Sequence, residues 1–299
     1  MYKRQVFICE SIIVSKRGHV SLWALLIHFR DELMNNDLLS ESKAVAYNFT
    51  VALFPSIIFL FTLIPHIPIA HFDVEIMRFL HDVLPESMYD VTQSTITDIV
   101  SKQRGGLLSF SFIMALTLAT NGMQGLMDSF NKCYNTNEQR TFFKKRLIAT
   151  MLTVLLSFVL FIAMIVLIFG ETILKALTTY EIVKFIGMTQ FSFDLLRYLT
   201  FALIYFFAIS IIYYFAPAVH KRWNFFSLGS IVATILSIVF SVGFSYYINN
   251  FATYNKLYGS IGTLLGIMMW LQFISFVLLI GFEINASIDL AEEKSKNQK

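Results

Sequence analysis

The stretch YGSIGTLLGIMMWLQFISFVLLIGFEINAS, Tyr258 to Ser287, decides the fold class of this chain. It is long and apolar enough to cross a bilayer, because a helix of about 20 apolar residues spans the hydrocarbon. It nevertheless begins with several glycines, contains Gln272 in its interior and ends on Glu283 and Asn285. The rest of the sequence has to show whether this polarity serves packing or function.

Composition places the whole chain in the same class as this stretch. Of its 299 residues, 56% are hydrophobic and only 14% are charged, whereas about a quarter of the residues in soluble domains are charged. Long apolar runs occur six times, at about 44–67, 105–127, 147–169, 195–216, 225–248 and 260–284. The runs lack the short alternating strands of a barrel, so helices must satisfy the backbone in lipid. We therefore predict an all-α polytopic membrane protein with six transmembrane helices.

Three regions follow from these runs. Residues 1–43 form an N-terminal segment, residues 44–290 the membrane domain with a small external helical cap at 66–106, and residues 291–299 a tail. The first five residues, MYKRQ, read as a cloning artefact. Val20–Leu39 is expected to be an amphipathic helix on the membrane surface, although a soluble helix packed on the loops fits the same pattern.

The distribution of lysine and arginine predicts the orientation, because cytoplasmic loops carry the excess. One side holds fourteen of these residues and the other side seven. Both termini are therefore expected in the cytoplasm. The richer side contains Lys16, Arg17, Arg30, Lys43, Lys132, Arg140, Lys144, Lys145, Arg146, Lys221, Arg222, Lys294, Lys296 and Lys299.

The sequence contains no recognisable catalytic or metal-binding motif. The external loop contains histidines and acids, but their spacing matches no metal-binding motif; they are His66, His71, Asp73, His81 and Asp82. Phosphate-binding loops, GxSxG and internal carboxylate pairs are also missing. Basic residues form no stripe with aromatic residues, which argues against nucleic acid. We expect no enzyme, no cofactor and no metal.

Two of the apolar runs carry polar residues at helical spacing. On span two these are Thr117, Asn121, Gln124 and Asp128, and we expect this face to point into the bundle, since polar groups facing lipid are costly. Span five repeats the pattern at Ser227, Ser230, Thr234, Ser237, Ser241, Ser245 and Asn249. A packing seam and the wall of a polar path both fit these faces.

The functional hypothesis is that some of these polar side chains converge on one cavity. Its candidate members are Asn121, Gln124, Thr234, Ser237, Ser241 and Gln272. We expect it to open towards the cytoplasm, where an anionic lipid head group would meet Lys221 and Arg222, with Glu283 pairing one of them. Gly262 and Gly266 form a GxxxG motif that predicts close helix contact near the outer side.

Four stretches resemble the YihY/BrkB family of bacterial inner-membrane proteins. They are AYNFTVALFPSIIFLFTLIPHIP, GLLSFSFIMALTLATNGMQGLMDSFNKCYN, YYFAPAVHKRWNFFSLGSIVAT and YGSIGTLLGIMMWLQFISFVLLIGFEINASI. The resemblance implies six spans, cytoplasmic termini and an unsettled molecular function, with virulence factor and ribonuclease BN among the labels in use. The family's recurring positions correspond to Tyr47, Pro55, Asn121, Asn131, Pro217, Gly229, Tyr258, Gly259, Gly262, Trp270, Gly281, Glu283 and Asn285.

Two functions from different classes are compatible with this sequence. The first is a transporter or flippase-like protein for a lipid or amphiphilic envelope component, with membrane lipids as partners. The second is a structural or assembly factor whose polar faces only pack. A ribonuclease would need metal-binding acids or histidines on the cytoplasmic side, whereas the histidine-acid cluster is predicted to be external.

Overall fold

A computed structural model describes residues 13–15, 20–21, 38–66, 93, 97–98, 102–134, 136, 138–179, 190–218, 224–250 and 260–297. It contains six long helices. These are α1 (Leu38–Leu63), α2 (Gly105–Cys133), α3 (Phe142–Thr179), α4 (Gln190–Phe215), α5 (Leu228–Asn250) and α6 (Ser260–Asn297). A 3-10 turn, Ile64–His66, follows α1, and two short antiparallel strands, β1 (Ile13–Ser15) and β2 (Val20–Ser21), precede it.

All six helices are long and apolar enough to cross a membrane. This confirms the prediction of an all-α membrane domain with six transmembrane helices. Within the described residues, the candidate span in α3 is Phe142–Ala163 and that in α6 is Leu264–Leu290. Since α1 continues through Pro55, that proline does not divide the first span.

Consecutive helices pack side by side, and α6 returns to α1, so the six helices close into a ring. The α1–α2 contact is the most extensive, and α6 also touches α2. Lys132 at the end of α2 pairs with Glu41 at the start of α1. Tyr134, just after α2, donates to Asp289 near the end of α6. This end of the ring, where α1, α3 and α5 begin and α2, α4 and α6 end, is called the basic end below.

The core of the protein lies at the basic end. Phe130 of α2 stacks on Phe282 of α6 with ring centroids 4.2 Å apart, and Tyr213 of α4 meets Phe130 edge-on at 5.7 Å. Among the described side chains, the last buried one in α3 is Thr153 and the last in α5 is Ser237. Among the described residues, the aromatic core and most of the buried side chains therefore lie at the basic end.

The closest helix contact joins α5 and α6. A Cβ at Gly229 would collide with the Gly281 carbonyl, and a Cβ at Gly281 would lie 2.6 Å from the Ala233 Cβ. The Gly229 N–H donates to Asn285 Oδ1 at 2.8 Å in this buried contact. At Gly266, in contrast, a Cβ would meet its nearest neighbour at an ordinary 3.6 Å. Gly266 therefore allows an ordinary contact with α5, whereas Gly229 and Gly281 form a much tighter one.

The N-terminal segment differs from the predicted amphipathic helix at both of its ends. Val20–Ser21 pairs with β1 as a strand, and Leu38–Leu39 is the first turn of α1. The intervening residues 22–37 lie outside the described part of the chain. Most of the predicted cap at 66–106 also lies outside it, although the Gln103 side chain donates to the Pro65 carbonyl at 2.9 Å. That bond joins the two ends of the loop that is predicted to be external.

Candidate functional site

The polar face of α2 lies against the start of α3. Arg146 of α3 donates to Asn121 Oδ1 at 2.5 Å, to Gln124 Oε1 at 2.8 Å and to the Thr117 carbonyl at 3.4 Å. One turn further along α2, Asp128 pairs with Lys145. This face therefore meets α3 and is half-buried there, because basic residues of α3 fold against it. The face that α2 buries instead carries Met123, Leu126, Met127 and Phe130.

The hydroxyl face of α5 is a packing seam over its first half. Thr234 is buried and donates to the Ser230 carbonyl of its own helix at 2.7 Å. Ser237 is 1% exposed, and its hydroxyl has no hydrogen-bond partner within the described residues. Further along, Ser241 accepts a 3.3 Å hydrogen bond from Trp270 Nε1 of α6. Thr234 and Ser237 are therefore packed between helices, and Ser241 bonds across to α6.

Gln272 of α6 lies apart from the polar faces of α2 and α5. It lines a cavity of about 310 Å³ between α1 and α6, which we call the lateral groove. Its lining consists of Lys43, Ala46, Tyr47, Thr50, Leu265, Met268, Met269 and Gln272. Lys43 and Tyr47 are exposed, so the groove opens on the outer surface of the helix ring.

The six predicted cavity residues therefore do not converge. Asn121 and Gln124 hold an arginine at the α2–α3 contact, Thr234 and Ser237 are buried in the α5 seam, and only Gln272 lines the lateral groove. Helical spacing places polar residues on one face of one helix, but it does not determine which neighbour that face meets. The hypothesis of a single polar cavity among these six residues is incorrect.

The sequence suggested that Glu283 lies at the mouth of an inward-opening cavity, but in the structure Glu283 is buried. Its side chain is 0% exposed, and its carboxyl group lies near the Cys133 thiol of α2. Cys133 is a free, buried cysteine. Lys221 and Arg222, the predicted head-group contacts, lie outside the described residues. Because α6 continues past Glu283 to Asn297, this residue is not at the end of its helix. Its carboxyl group lies within the packed basic end.

A polar network that the sequence analysis missed joins the ends of α2 and α4. Asn131 accepts from the Ala218 backbone N–H at 2.8 Å and donates to Glu138 at 3.0 Å. Arg140 pairs with Glu138 at 2.7 Å and donates to the Ala216 carbonyl. Burial raises the pKa of the Glu138 carboxyl, but the hydrogen bonds and charge of Arg140 outweigh this effect and hold that pKa below its usual value. The network satisfies the carbonyl at the end of α4, an otherwise unpaired group.

Metal ligands do not cluster in the part of the chain that the structure describes. No three His, Cys, Asp or Glu side chains among those residues are close enough to hold an ion. Of the histidine-acid set considered from the sequence, only His66 is described, and its Nδ1 lies 3.0 Å from the Thr62 carbonyl. The remaining members, His71, Asp73, His81 and Asp82, fall outside the described residues.

Known proteins resemble this chain along most of its length. It is 32% identical over 250 residues to the putative ribonuclease-like protein YfkH of Bacillus subtilis, covering 83% of this chain and 88% of that one. A UPF0761 membrane protein of Actinobacillus pleuropneumoniae is 24% identical over 85% of this chain and 89% of its own length. Another, from Tolumonas auensis, is 28% identical over 60% of this chain and 57% of its own length.

No solved structure matches this protein. Residues 29–299 match the family described as virulence factor BrkB, and this range contains all six helices of the ring. Because the match covers the whole membrane domain, the chain belongs to the virulence factor BrkB family.

Proposed function

We propose that this integral membrane protein binds and moves a lipid or similarly amphiphilic envelope component through the lateral groove. The observation that carries the proposal is the position of Gln272. Its amide lies about a third of the way along the span Leu264–Leu290 of α6, lines the groove and makes no hydrogen bond within the described part of the chain. An amide in hydrocarbon needs a polar partner, and an amphiphile in the groove supplies one.

The polar lining of the groove continues along α1. Lys43, Tyr47 and Thr50 follow one another at intervals of four and three residues, so they share one helical face. Lys43 lies about 8 Å from the start of the helix, and Thr50 about 10 Å further along. A cation near the membrane surface and weaker polar groups deeper in the bilayer provide contacts along the path of a head group.

The other half of the lining is apolar. It consists of Ala46 of α1 with Leu265, Met268 and Met269 of α6. Methionine side chains adapt to irregular ligands because they are unbranched and polarizable. The volume of about 310 Å³ lies at the lower end of the range for small-molecule sites, so the groove accommodates a head group while acyl chains remain in the bilayer through its open side.

A structural or assembly factor is the second candidate, and the packing at the basic end favours it. The α5–α6 contact through Gly229 and Gly281 and the buried Asn285 bond hold the helices closely there. A protein that only organises the membrane needs such packing and has no need of a polar groove.

Reconstitution distinguishes these functions. Purified protein in liposomes with a fluorescent phospholipid is expected to accelerate lipid exchange between leaflets, measured by chemical quenching of the outer leaflet. Gln272→Leu removes the amide at nearly constant volume and is expected to lower the rate about tenfold, the effect of losing one hydrogen bond of about 1.4 kcal/mol. Thr50→Val is expected to lower the rate in the same direction.

Thr153 provides a matched control for Thr50. Both threonines are buried, and both donate to the carbonyl four residues earlier at 2.8 Å, but Thr153 lies on α3, away from the groove. Thr153→Val is expected to leave the exchange rate unchanged. If wild-type protein moves lipid no faster than empty liposomes, with or without an ion gradient, the structural role is favoured. If both valine variants slow exchange equally, the groove is not the path.

The name of the Bacillus relative suggests a third function, RNA cleavage. We expect purified protein to show no intrinsic ribonuclease activity, because the sequence lacks a catalytic constellation for phosphodiester hydrolysis. Cleavage of labelled RNA with divalent metal ions present measures this directly. Activity that co-purifies with the wild type and disappears with one substitution in this chain would overturn the expectation.

A further inference from the structure

Arg146 is held by neutral groups. The described acceptors of its guanidinium are two side-chain amide oxygens, from Asn121 and Gln124, and the Thr117 backbone carbonyl. Amide oxygens orient a guanidinium through hydrogen bonds, but they carry no formal charge to neutralise it. The positive charge of Arg146 therefore remains available to an anion.

Three neighbouring basic residues at the same end of the ring pair with carboxylates. Lys145 pairs with Asp128, Lys132 with Glu41 and Arg140 with Glu138. Asp128, the carboxylate one turn from Gln124 on the polar face of α2, is thus directed to Lys145. Arg146 differs from these ion-paired residues because its described acceptors are all neutral.

The position of Arg146 fits the head-group region of a bilayer. It lies four residues into α3, about 6 Å from the start of the helix, and directly before the apolar run 147–169. The side chain is partly exposed, and Thr117 beside it is exposed. Phe142 lies one turn before Arg146 on the same face and is 71% exposed, as aromatic residues at a membrane interface commonly are.

We propose that Arg146, oriented by Asn121 and Gln124, binds the phosphate of an anionic phospholipid at the α2–α3 surface. A guanidinium with its plane fixed presents parallel N–H groups to two phosphate oxygens, which is the geometry that arginine provides and lysine does not. The charge is complementary, and Arg146 lies at the boundary between the basic residues 144–146 and the apolar run of α3, where lipid phosphates meet the end of the hydrocarbon. This site is separate from the lateral groove and requires no lipid movement, so it holds for a transporter and for a structural factor alike.

Lipid binding to the purified protein tests the site without a transport assay. Native mass spectrometry in detergent, titrated with phosphatidylglycerol, is expected to show binding to the wild type that phosphatidylcholine does not reproduce. Arg146→Gln is expected to weaken phosphatidylglycerol binding about tenfold or more, since it removes a charge-assisted contact. Gln124→Glu leaves the arginine in place but supplies a carboxylate, and it is expected to weaken binding to a similar extent.

Lys144 is the matched control, because it is an exposed cation two residues away on α3. Lys144→Gln is expected to change phosphatidylglycerol binding less than twofold. Equal losses in Lys144→Gln and Arg146→Gln would indicate diffuse charge attraction and overturn the site. Unchanged binding in Gln124→Glu with an unchanged melting temperature would also overturn it. Inorganic phosphate that binds the wild type but not Arg146→Gln, with lipid binding equal in both, would assign the site to a free anion and reject the lipid.

Discussion

Replacing Gly229 with alanine tests the contact that sets the distance between α5 and α6. The added Cβ would collide with the Gly281 carbonyl and lie 2.6 Å from Asn285 Oδ1. The two helices must therefore separate, or Asn285 must turn away and release the Gly229 N–H, to which it is bonded at 2.8 Å.

The size of the effect follows from three contributions. Overpacking in a tight core costs about 1–3 kcal/mol, and a buried N–H left without its acceptor costs about 1–3 kcal/mol. Alanine is a better helix former than glycine by about 1 kcal/mol, which offsets part of the loss. The net expectation for Gly229→Ala is a destabilisation of about 3 kcal/mol.

The free energy of unfolding in mixed micelles, followed by circular dichroism during denaturation with an ionic detergent, measures this effect. Gly243→Ala on the same helix is the matched control, since no atom lies within 4 Å of a Cβ placed there. That variant is expected to be as stable as the wild type or more stable by up to about 1 kcal/mol. Asn285→Ala in the Gly229→Ala background is expected to be less costly than the sum of the single changes, because the two residues share one contact.

Equal stabilities for Gly229→Ala and Gly243→Ala would refute this reasoning, since they differ only in the space around the new methyl group. Additive effects of Gly229→Ala and Asn285→Ala would refute the part that depends on the shared hydrogen bond. Either result would mean that α5 and α6 are held at their observed distance by other contacts along the pair.

Three further predictions concern topology, pH and packing. In a cysteine-free background, a membrane-impermeant reagent applied to intact cells is expected to modify Gln93→Cys and to miss Gln139→Cys; the reverse pattern would contradict the charge-based orientation. The lowered pKa of Glu138 means that its ion pair stabilises the fold above the usual carboxyl pKa of 4.5 and that this contribution is lost as pH falls through the lower folded-state value. Glu138→Gln is therefore expected to lower the melting temperature at neutral pH but not at strongly acidic pH, and an equal difference at both would contradict the pairing. Ser237→Leu is expected to destabilise the protein by about 1–3 kcal/mol through overpacking, whereas Ser245→Leu, on the exposed part of the same helix, is expected to be neutral, and equal effects would reject the seam.

The number and places of the membrane helices were predictable because hydrocarbon imposes a simple rule. A run that must cross about 30 Å of hydrocarbon needs about 20 apolar residues, and this length is visible in any single segment. The observed helices extend beyond several of the predicted runs, as α3 does to Thr179 and α6 to Asn297. Their ends leave the hydrocarbon, where apolar composition is no longer required.

The partners of the polar residues were not predictable in the same way. The spacing of Asn121 and Gln124 placed them correctly on one face of α2, but only the fold brings Arg146 of α3 against that face. Lysine and arginine counts treated Arg146 as one more basic residue of a loop. A count of basic residues contains no information on which of these residues pair with a carboxylate.

The sequence by itself determined that this chain is a six-helix membrane protein of the virulence factor BrkB family, because length, hydropathy and motif are properties of contiguous residues. The tertiary structure decided that Glu283 is buried, that Gly229 meets Gly281 and that Gln272 lines a groove with Lys43. Each of those facts depends on the rotation and neighbours of a helix in the ring. Rotation is set by the sum of many small packing contacts between segments distant in sequence, and no single segment encodes that sum.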